Sequence, residues 1–388
     1  MNSFSYYIPT KIQFGDLDID KLVCEIKEYG SKILLVYGGG SIKKKGLYSK
    51  IIEGLRNNHL LYSELSGVKP NPSIDKVREG VKICKEKDID VILAIGGGSV
   101  IDTGKWIAAG SCVNFDPWAF FSEWISVKEA LPIIAIPTIV GSGSEMDSSG
   151  VISNEQTIDK IGRSDAKLLP KVAFLDPKLT YTVPPYQTAC GSIDIISHIA
   201  EVYFNIHEDF SMLDYTMEGM MRTVIKYTPI AMKEPENYTA RANLMYVAPW
   251  AINGFLVGGK RQSWSSHKIE HSLSAFYPIT HGEGMAIILV NWLKYCLNKE
   301  TVSKYIQFSK NVFGVEKYID AMEVAQEGIK RLEMFCSETL RLKKRLRELK
   351  VEKERLPEIA NKAYGNRPIN GFIKLELNDI INILKMSY

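Results

Sequence analysis

The sequence predicts two domains of different class: an α/β domain built on a parallel sheet over residues 1–180, and an all-helical domain over residues 181–388. Two observations carry this. Up to about Asp176, short apolar runs alternate with helical stretches, and each run stops at glycine, proline or aspartate. That is the pattern of buried parallel strands joined by helices. Beyond Tyr181, apolar residues recur with a 3.6-residue period in one long segment after another, and strand signals nearly vanish. A chain of 388 residues is long enough for both cores.

Taken in order, Phe4 to Phe14 alternates enough for a strand or a short hairpin. Lys32–Tyr37 is a compact apolar run closed by Gly38-Gly39-Gly40-Ser41, a buried strand running into a turn and then a helix. Pro70-Asn71-Pro72 breaks the chain, and Ser73 suits the N-cap of a helix reaching Cys84. Asp90–Ile95 is a second strand, ending in Gly96-Gly97-Gly98-Ser99, with a helix from Val100. Pro132–Ile136 is a third, followed by Pro137-Thr138 and Gly141-Ser-Gly-Ser144-Glu145. Val172–Leu175 is a further strand, stopped by Asp176-Pro177. Pro184-Pro185 then opens a helix, and helical periodicity returns over roughly 209–230, 236–255, 264–275, 282–297, 301–313 and 317–336. The Lys-, Arg- and Glu-rich run from Arg341 to Arg355 reads as a solvated face.

Composition narrows the function. A net charge of +3 is too small to make nucleic acid or a membrane surface the main partner. There is no apolar run of membrane-spanning length, and the N-terminus lacks the pattern of a signal peptide. The six cysteines are scattered with no CxxC pair, as expected of reduced thiols in a cytoplasmic protein. Cys190, close to Asp194, reads as a helix thiol.

Four of the six histidines fall into one arrangement. Asp194 and His198 are four apart on the Pro185 helix, as are His267 and His271 on a later one, with His281 ten residues on. Side chains four apart share a helix face. A carboxylate and imidazoles that converge on one point suit a divalent first-row metal. His59 and His207 stand outside this pattern and read as structural or surface residues.

The turn Gly96–Ser99 suits a pyrophosphate: glycines let the backbone approach, and the next helix offers unpaired N–H groups. It departs from the common G-x-G-x-x-G fingerprint, because Ile101 takes the third glycine position. The earlier turn, Gly38–Ser41, has no acidic residue for a ribose hydroxyl, and Lys43, Lys44 and Lys45 follow it. That combination favours NADP(H) over NAD(H).

With these motifs in view, the chain resembles the iron-containing alcohol dehydrogenases, in particular the butanol dehydrogenase-like branch that reduces aldehydes. The matching pieces are Gly38–Ser41, Pro70–Pro72, Gly96-Gly-Gly-Ser99-Val-Ile-Asp102-Thr-Gly-Lys105, Pro137-Thr138, Gly141–Glu145, Leu175–Pro177, Asp194-x-x-x-His198, and His267-Lys-Ile-Glu-His271 through His281-Gly-x-Gly284. They run in the family's order to about residue 300, and the match is loose from about 335. Ser263, before Trp264, is a small departure. The resemblance implies a dinucleotide-binding domain and a helical domain in a dehydroquinate synthase-like architecture, with the active site between them, in a homodimer. It implies that Asp194, His198, His267 and His281 hold one metal, Fe(II) or alternatively Zn(II), with His271 beside it. Gly97, Gly98 and Ser99 would bind pyrophosphate, and Asp102 and Thr138 would lie near the nicotinamide. Ser144 would line the cofactor cleft, and Lys160 would meet the nicotinamide ribose. Gly38, Gly39 and Ser41 would meet the adenosine ribose or its phosphate.

The activity these residues imply is hydride transfer between NAD(P)H and a short- or medium-chain aldehyde or alcohol, with His271 as proton relay and Asp102 as a second candidate catalytic group. Trp118, Phe120 and Phe121 read either as the wall of an apolar substrate pocket or as core. The competing readings are an NAD-dependent polyol oxidation like that of glycerol dehydrogenase, a dehydroquinate synthase-like lyase, and a nucleotide- and metal-binding sensor without turnover. His281 argues against the first, which needs one histidine ligand fewer.

Overall fold

Each apolar run is four to six residues long, the length of a strand rather than of a core helix, and each is buried on both faces, as a sheet covered by helices on both sides requires. The computed structural model describes residues 3–44, 46–205, 210–260, 264–316 and 320–388. Lys45, His207 and Ser263 lie outside them. The described residues form two units, one spanning Tyr7–Val183 and the other Pro184–Tyr388 with the few residues that precede Tyr7.

The first unit runs β1 (Lys11–Phe14), α1 (Ile19–Lys27), β2 (Lys32–Tyr37), α2 (Ser41–Lys44), α3 (Leu47–Asn57), β3 (Leu61–Leu65), α4 (Ile74–Lys87), β4 (Val91–Gly96), α5 (Gly98–Ser111), α6 (Ala119–Ser122), β5 (Ile133–Pro137), β6 (Ser149–Asn154), β7 (Asp159–Ser164) and β8 (Val172–Leu175). Six strands pair in parallel in the order β1-β8-β5-β4-β2-β3, and β6 and β7 form a separate antiparallel hairpin. Alternation along β2 and β4 splits the core. Leu34, Val36, Ile92 and Ala94 join one apolar cluster, while Ile33, Leu35, Leu93 and Ile95 join another. Phe120 and Phe121 are buried in the first cluster, with rings 5.6 and 4.4 Å from Trp106, so these aromatics are core.

Local signals fix the ends. Ser73 Oγ accepts from Lys76 N at 3.3 Å and caps α4 as expected. Asp90 accepts from Ser31 N and Lys32 N, which ties the start of β2 to β4. The strand or hairpin expected over Phe4–Phe14 is only β1. The edge strand β3 and the hairpin β6–β7 are additions to the expected elements.

The second unit is helical: α7 (Pro185–Tyr203), α8 (Ser211–Lys233), α9 (Tyr238–Ile252), α10 (Ser265–Phe276), α11 (His281–Cys296), α12 (Val302–Phe313), α13 (Ala321–Met334), α14 (Leu356–Tyr364) and α15 (Leu377–Ser387). The run from Arg341 to Arg355 holds two short 3₁₀ turns and is mostly exposed, with Leu346 buried beneath it. All six cysteines are free thiols. Among the described residues no helix is long and apolar enough to cross a membrane.

Candidate active site

Helix α7 carries Asp194, His198 and Glu201 at spacings of four and three, so all three share one face. Helix α10 carries His267, Glu270 and His271, and α11 begins at His281. Two glycines let α11 seat closely. A Cβ on Gly282 would stand 2.1 Å from the Cys190 carbonyl oxygen on α7, and one on Gly284 would stand 2.8 Å from Glu270 Oε1 on α10. This explains the spacing His281-Gly-x-Gly284: the glycines bring the histidine to both helices.

The side chains converge on Asp194 Oδ1. The Nε2 atoms of His281, His198 and His267 lie 3.3, 3.4 and 3.9 Å from it. Asp194, His267 and His281 offer donor atoms that all lie within 4.8 Å of one another. The His198 and His267 rings stack 5.0 Å apart, and Trp264 sets its edge against both. Asp194 Oδ1 and His198 Nδ1 are buried with no hydrogen-bond partner. A buried polar oxygen ringed by imidazole nitrogens yet unbonded is costly, unless something further is bound there. One carboxylate and three imidazoles could hold a divalent first-row ion.

Electrostatics favour the ligating forms of His198 and Asp194, whereas His267 holds a proton more tightly than a free imidazole and would give it up to an ion. Burial drives the His198 imidazole down to about 4, leaving it neutral. Burial opposes ionisation of Asp194, but His198 and His281 hold its carboxyl well below the usual range. Burial lowers His267, but Asp194 and Glu201 together raise it above its ordinary value.

Two carboxylates stand behind the histidines. Glu201, fully buried, accepts from the backbone N–H groups of Ser265, Ser266 and His267 at 3.0, 2.7 and 3.1 Å, and faces His267 Nδ1 at 3.3 Å. Glu270, also fully buried, accepts from Ser274 Oγ at 2.8 Å and pairs with His281 Nδ1. A carboxylate on the far nitrogen turns each ring so that Nε2 points at the shared centre. His271 is half-buried, with its ring 5.3 Å from that of His281. Glu270, His271 and His281 form a second trio of potential donors.

In the α/β unit the two glycine turns sit side by side. β2 ends at Gly38–Gly40 and β4 at Gly96–Gly97, and the two strands are paired. The sheet order reverses direction between them, the place where open α/β sheets bind ligands. Gly97 is the N-cap of the 14-residue α5, and a Cβ on Gly98 would collide with Ser142 Oγ at 2.3 Å. The first turns of α5 hold the loop before β6. Asp102 accepts from Ser144 Oγ at 2.6 Å and from Val151 N at 2.9 Å. The buried Lys105 Nζ donates to the carbonyls of Asp147 and Ser149 at 2.7 and 2.5 Å. Thr138 N donates to Gly96 O at 2.9 Å. Gly97, Gly98, Ser99, Asp102, Thr138 and Ser144 thus gather at the ends of β4 and β5. Gly38, Gly39 and Ser41 lie at the end of β2, and Lys160 lies on β7 opposite Ser153.

Two family models cover almost all of this architecture: that of iron-containing alcohol dehydrogenase matches residues 9–177, and that of the C-terminal part of the Fe-containing alcohol dehydrogenase family matches residues 188–388. The chain belongs to the iron-containing alcohol dehydrogenase family. Similar members include an NADH-dependent butanol dehydrogenase A of Clostridium acetobutylicum, 44% identical with both chains fully covered. Another is an NADPH-dependent aldehyde reductase of Escherichia coli, 36% identical over 82% of each chain. Among solved structures, an NADH-dependent butanol dehydrogenase A of Thermotoga maritima superposes with a TM-score of 0.95 at 36% identity, over 100% of this chain and 99% of its own.

Within this iron-containing dehydrogenase, sequence reasoning passed over Glu201 and gave no role to Glu270 and Lys105, though both stand inside the quoted motifs. Position alone was too weak a signal for the glutamates: Glu201 follows His198 by three residues and Glu270 follows His267 by three, a spacing common on solvated helices.

Proposed function

We propose that the chain is a metal-dependent oxidoreductase that interconverts short- or medium-chain aldehydes and primary alcohols with a nicotinamide cofactor. The observation that carries this is the buried Asp194 oxygen, unbonded and ringed by three imidazole nitrogens. Fe(II) is the metal proposed first and Zn(II) second, on the donor set and the family.

A bound divalent ion would polarise the substrate oxygen, and the nicotinamide would give or take the hydride. The chain's own residues do the rest. Asp194 supplies the negative charge, and His198 stays neutral through burial. Glu201 and Glu270 hold His267 and His281 with Nε2 turned inward. His271 passes the proton through a ring nitrogen, since an imidazole titrates near neutral pH. Asp102 holds Ser144 and β6 in place beside the pyrophosphate turn rather than reacting itself.

The cofactor we assign is NADH, although the lysines after Gly38–Ser41 favour NADP from sequence alone. Support comes from Lys43, whose ammonium is already engaged by Glu64, and from the 44% identical relative, which is named NADH-dependent. The assembly we propose is a homodimer, to be checked by light scattering.

The test is butanal reduction by protein stripped of metal and reloaded anaerobically with Fe(II) or Zn(II), with NADH and NADPH in parallel. Metal-dependent oxidation of NADH that requires the aldehyde is expected. Tight nucleotide binding with no carbonyl-dependent oxidation under either metal would overturn the reading in favour of a sensor or a lyase.

A further inference from the structure

The structure offers a specific determinant of cofactor choice at the end of β2. The sheet reverses between β2 and β4, so a dinucleotide whose pyrophosphate rests on α5 lays one nucleoside over the β2 turn. The floor there is open: among the described residues, nothing stands within 4 Å of where a Cβ on Gly39 or Gly40 would be. Telling a 2′-hydroxyl from a 2′-phosphate then falls to the side chains around this turn, and Lys43 is a cation at this place.

Lys43 is not idle. Its ammonium lies 3.6 Å from Glu64 Oε2 and over the rings of Tyr48 and Tyr37, 4.6 and 5.2 Å from their centroids. Glu64 sits on the edge strand β3, opposite Leu35 of β2. Both its oxygens are taken: Tyr37 Oη donates to Oε2 at 2.5 Å and Tyr48 Oη to Oε1 at 2.6 Å. Burial pushes its carboxyl up, but the two tyrosines and Lys43 together more than offset this and hold it below its ordinary value, so Glu64 is an anion at neutral pH. A phosphate brought to Lys43 must compete with a fixed carboxylate for the same cation and meets the repulsion of that carboxylate as well. A ribose 2′-hydroxyl meets neither obstacle. Like-charge opposition of this kind is a common source of selectivity.

We propose that Glu64, held by Tyr37 and Tyr48, sets the preference for NAD(H) over NADP(H) by keeping Lys43 from a 2′-phosphate. This rests on the dehydrogenase reading only for its kinetic test, because the binding test stands alone.

The experiment compares wild type, Glu64→Gln, Lys43→Met and the double variant. Binding of 2′,5′-ADP and of 5′-AMP is measured by calorimetry, and kcat/KM for NADPH and NADH with butanal is measured on metal-loaded enzyme. Glu64→Gln is expected to tighten 2′,5′-ADP by about tenfold, the scale of one charge-assisted hydrogen bond, and to move 5′-AMP by less than about twofold. The double variant should lose that gain. An unchanged ratio in Glu64→Gln, or a gain that persists without Lys43, overturns the proposal. Should Glu64→Gln not fold, Lys43→Met alone decides: a loss of 2′,5′-ADP affinity of about tenfold would show Lys43 already serving the phosphate and sink the idea, whereas a loss under about twofold supports it. If the binding ratio responds but no variant reduces butanal, the dehydrogenase reading fails and this inference stands. If butanal is reduced and the ratio does not move, the reverse holds.

Discussion

Asp194, His198, His267 and His281 could be found from spacing, because a helix brings residues four apart to one face and histidine is scarce in this chain. Glu201 and Glu270 could not, since glutamates three residues from a histidine are common on solvated helices and only burial sets these two apart. The two should behave differently when altered. Glu201 accepts three backbone N–H bonds at the start of α10 as well as facing His267, so Glu201→Gln turns an amide donor toward other donors. We expect about 1–3 kcal/mol of lost stability together with about 10- to 100-fold weaker metal binding. Glu270→Gln disturbs the contacts with His281 and Ser274 and no backbone cap like that of Glu201, so metal affinity should fall by a similar factor with a smaller change in Tm. Chelator competition and thermal denaturation on the same samples separate the two. His271→Ala should cut kcat by about a hundredfold while metal content stays near that of wild type. Metal loss matching that of His267→Ala would make His271 a ligand and end its assignment as a relay.

At the level of elements, what was legible tracked burial. β2, β4, β5 and β8 are buried on both faces and announce themselves as unbroken apolar runs. The edge strand β3 is Leu-Tyr-Ser-Glu-Leu, half exposed, and the β6–β7 hairpin alternates with small and polar residues, so neither shows such a run. α14 and α15 are short helices of nine and eleven residues that lie beyond the last long periodic segment, which ends near 336. The junctions between elements carry their own tests. Gly282→Ala sets a Cβ against the α7 backbone, which cannot swing aside as a side chain can, so α11 must shift and His281 with it. We expect at least about 2 kcal/mol of destabilisation and weakened metal binding, and a variant with wild-type Tm and affinity would refute this close packing. The short turn Ser144–Met146 makes a prediction in pH. Burial raises the Glu145 carboxyl from 4.5 to about 7 against the pull of Lys105. A raised acid favours the fold while protonated. Its contribution is complete below pH 4.5 and lost as pH rises through about 7. Relative to Glu145→Gln, wild type should therefore lose up to about 3 kcal/mol over that window, as denaturant midpoints at each pH would reveal.

Across the whole molecule the two kinds of site fall in different units. Every candidate metal ligand lies in the unit that includes Pro184–Tyr388, and both glycine turns lie in Tyr7–Val183. The sequence shows this division because the metal pairs need long helices and the phosphate turns need strand-to-helix junctions, and the chain uses these devices in succession. The physical consequence is that each ligand should steady its own unit first. A ligand held at a hundred times its Kd adds about 2.7 kcal/mol to the state that binds it. For units of this size that is roughly 5–10 °C in Tm. Hydrogen exchange resolves where the gain falls. Metal reloading should slow exchange in α7, α10 and the first turn of α11, which carry the ligands and the carboxylates behind them. NADH alone should slow the amides from Gly38 to Ser41 and from Gly97 to Asp102. Stripping the metal should then leave the second set of amides unchanged while the first set speeds up. Metal-dependent protection confined to the glycine turns would place the ion in the wrong unit and remove the physical basis for the Asp194 site.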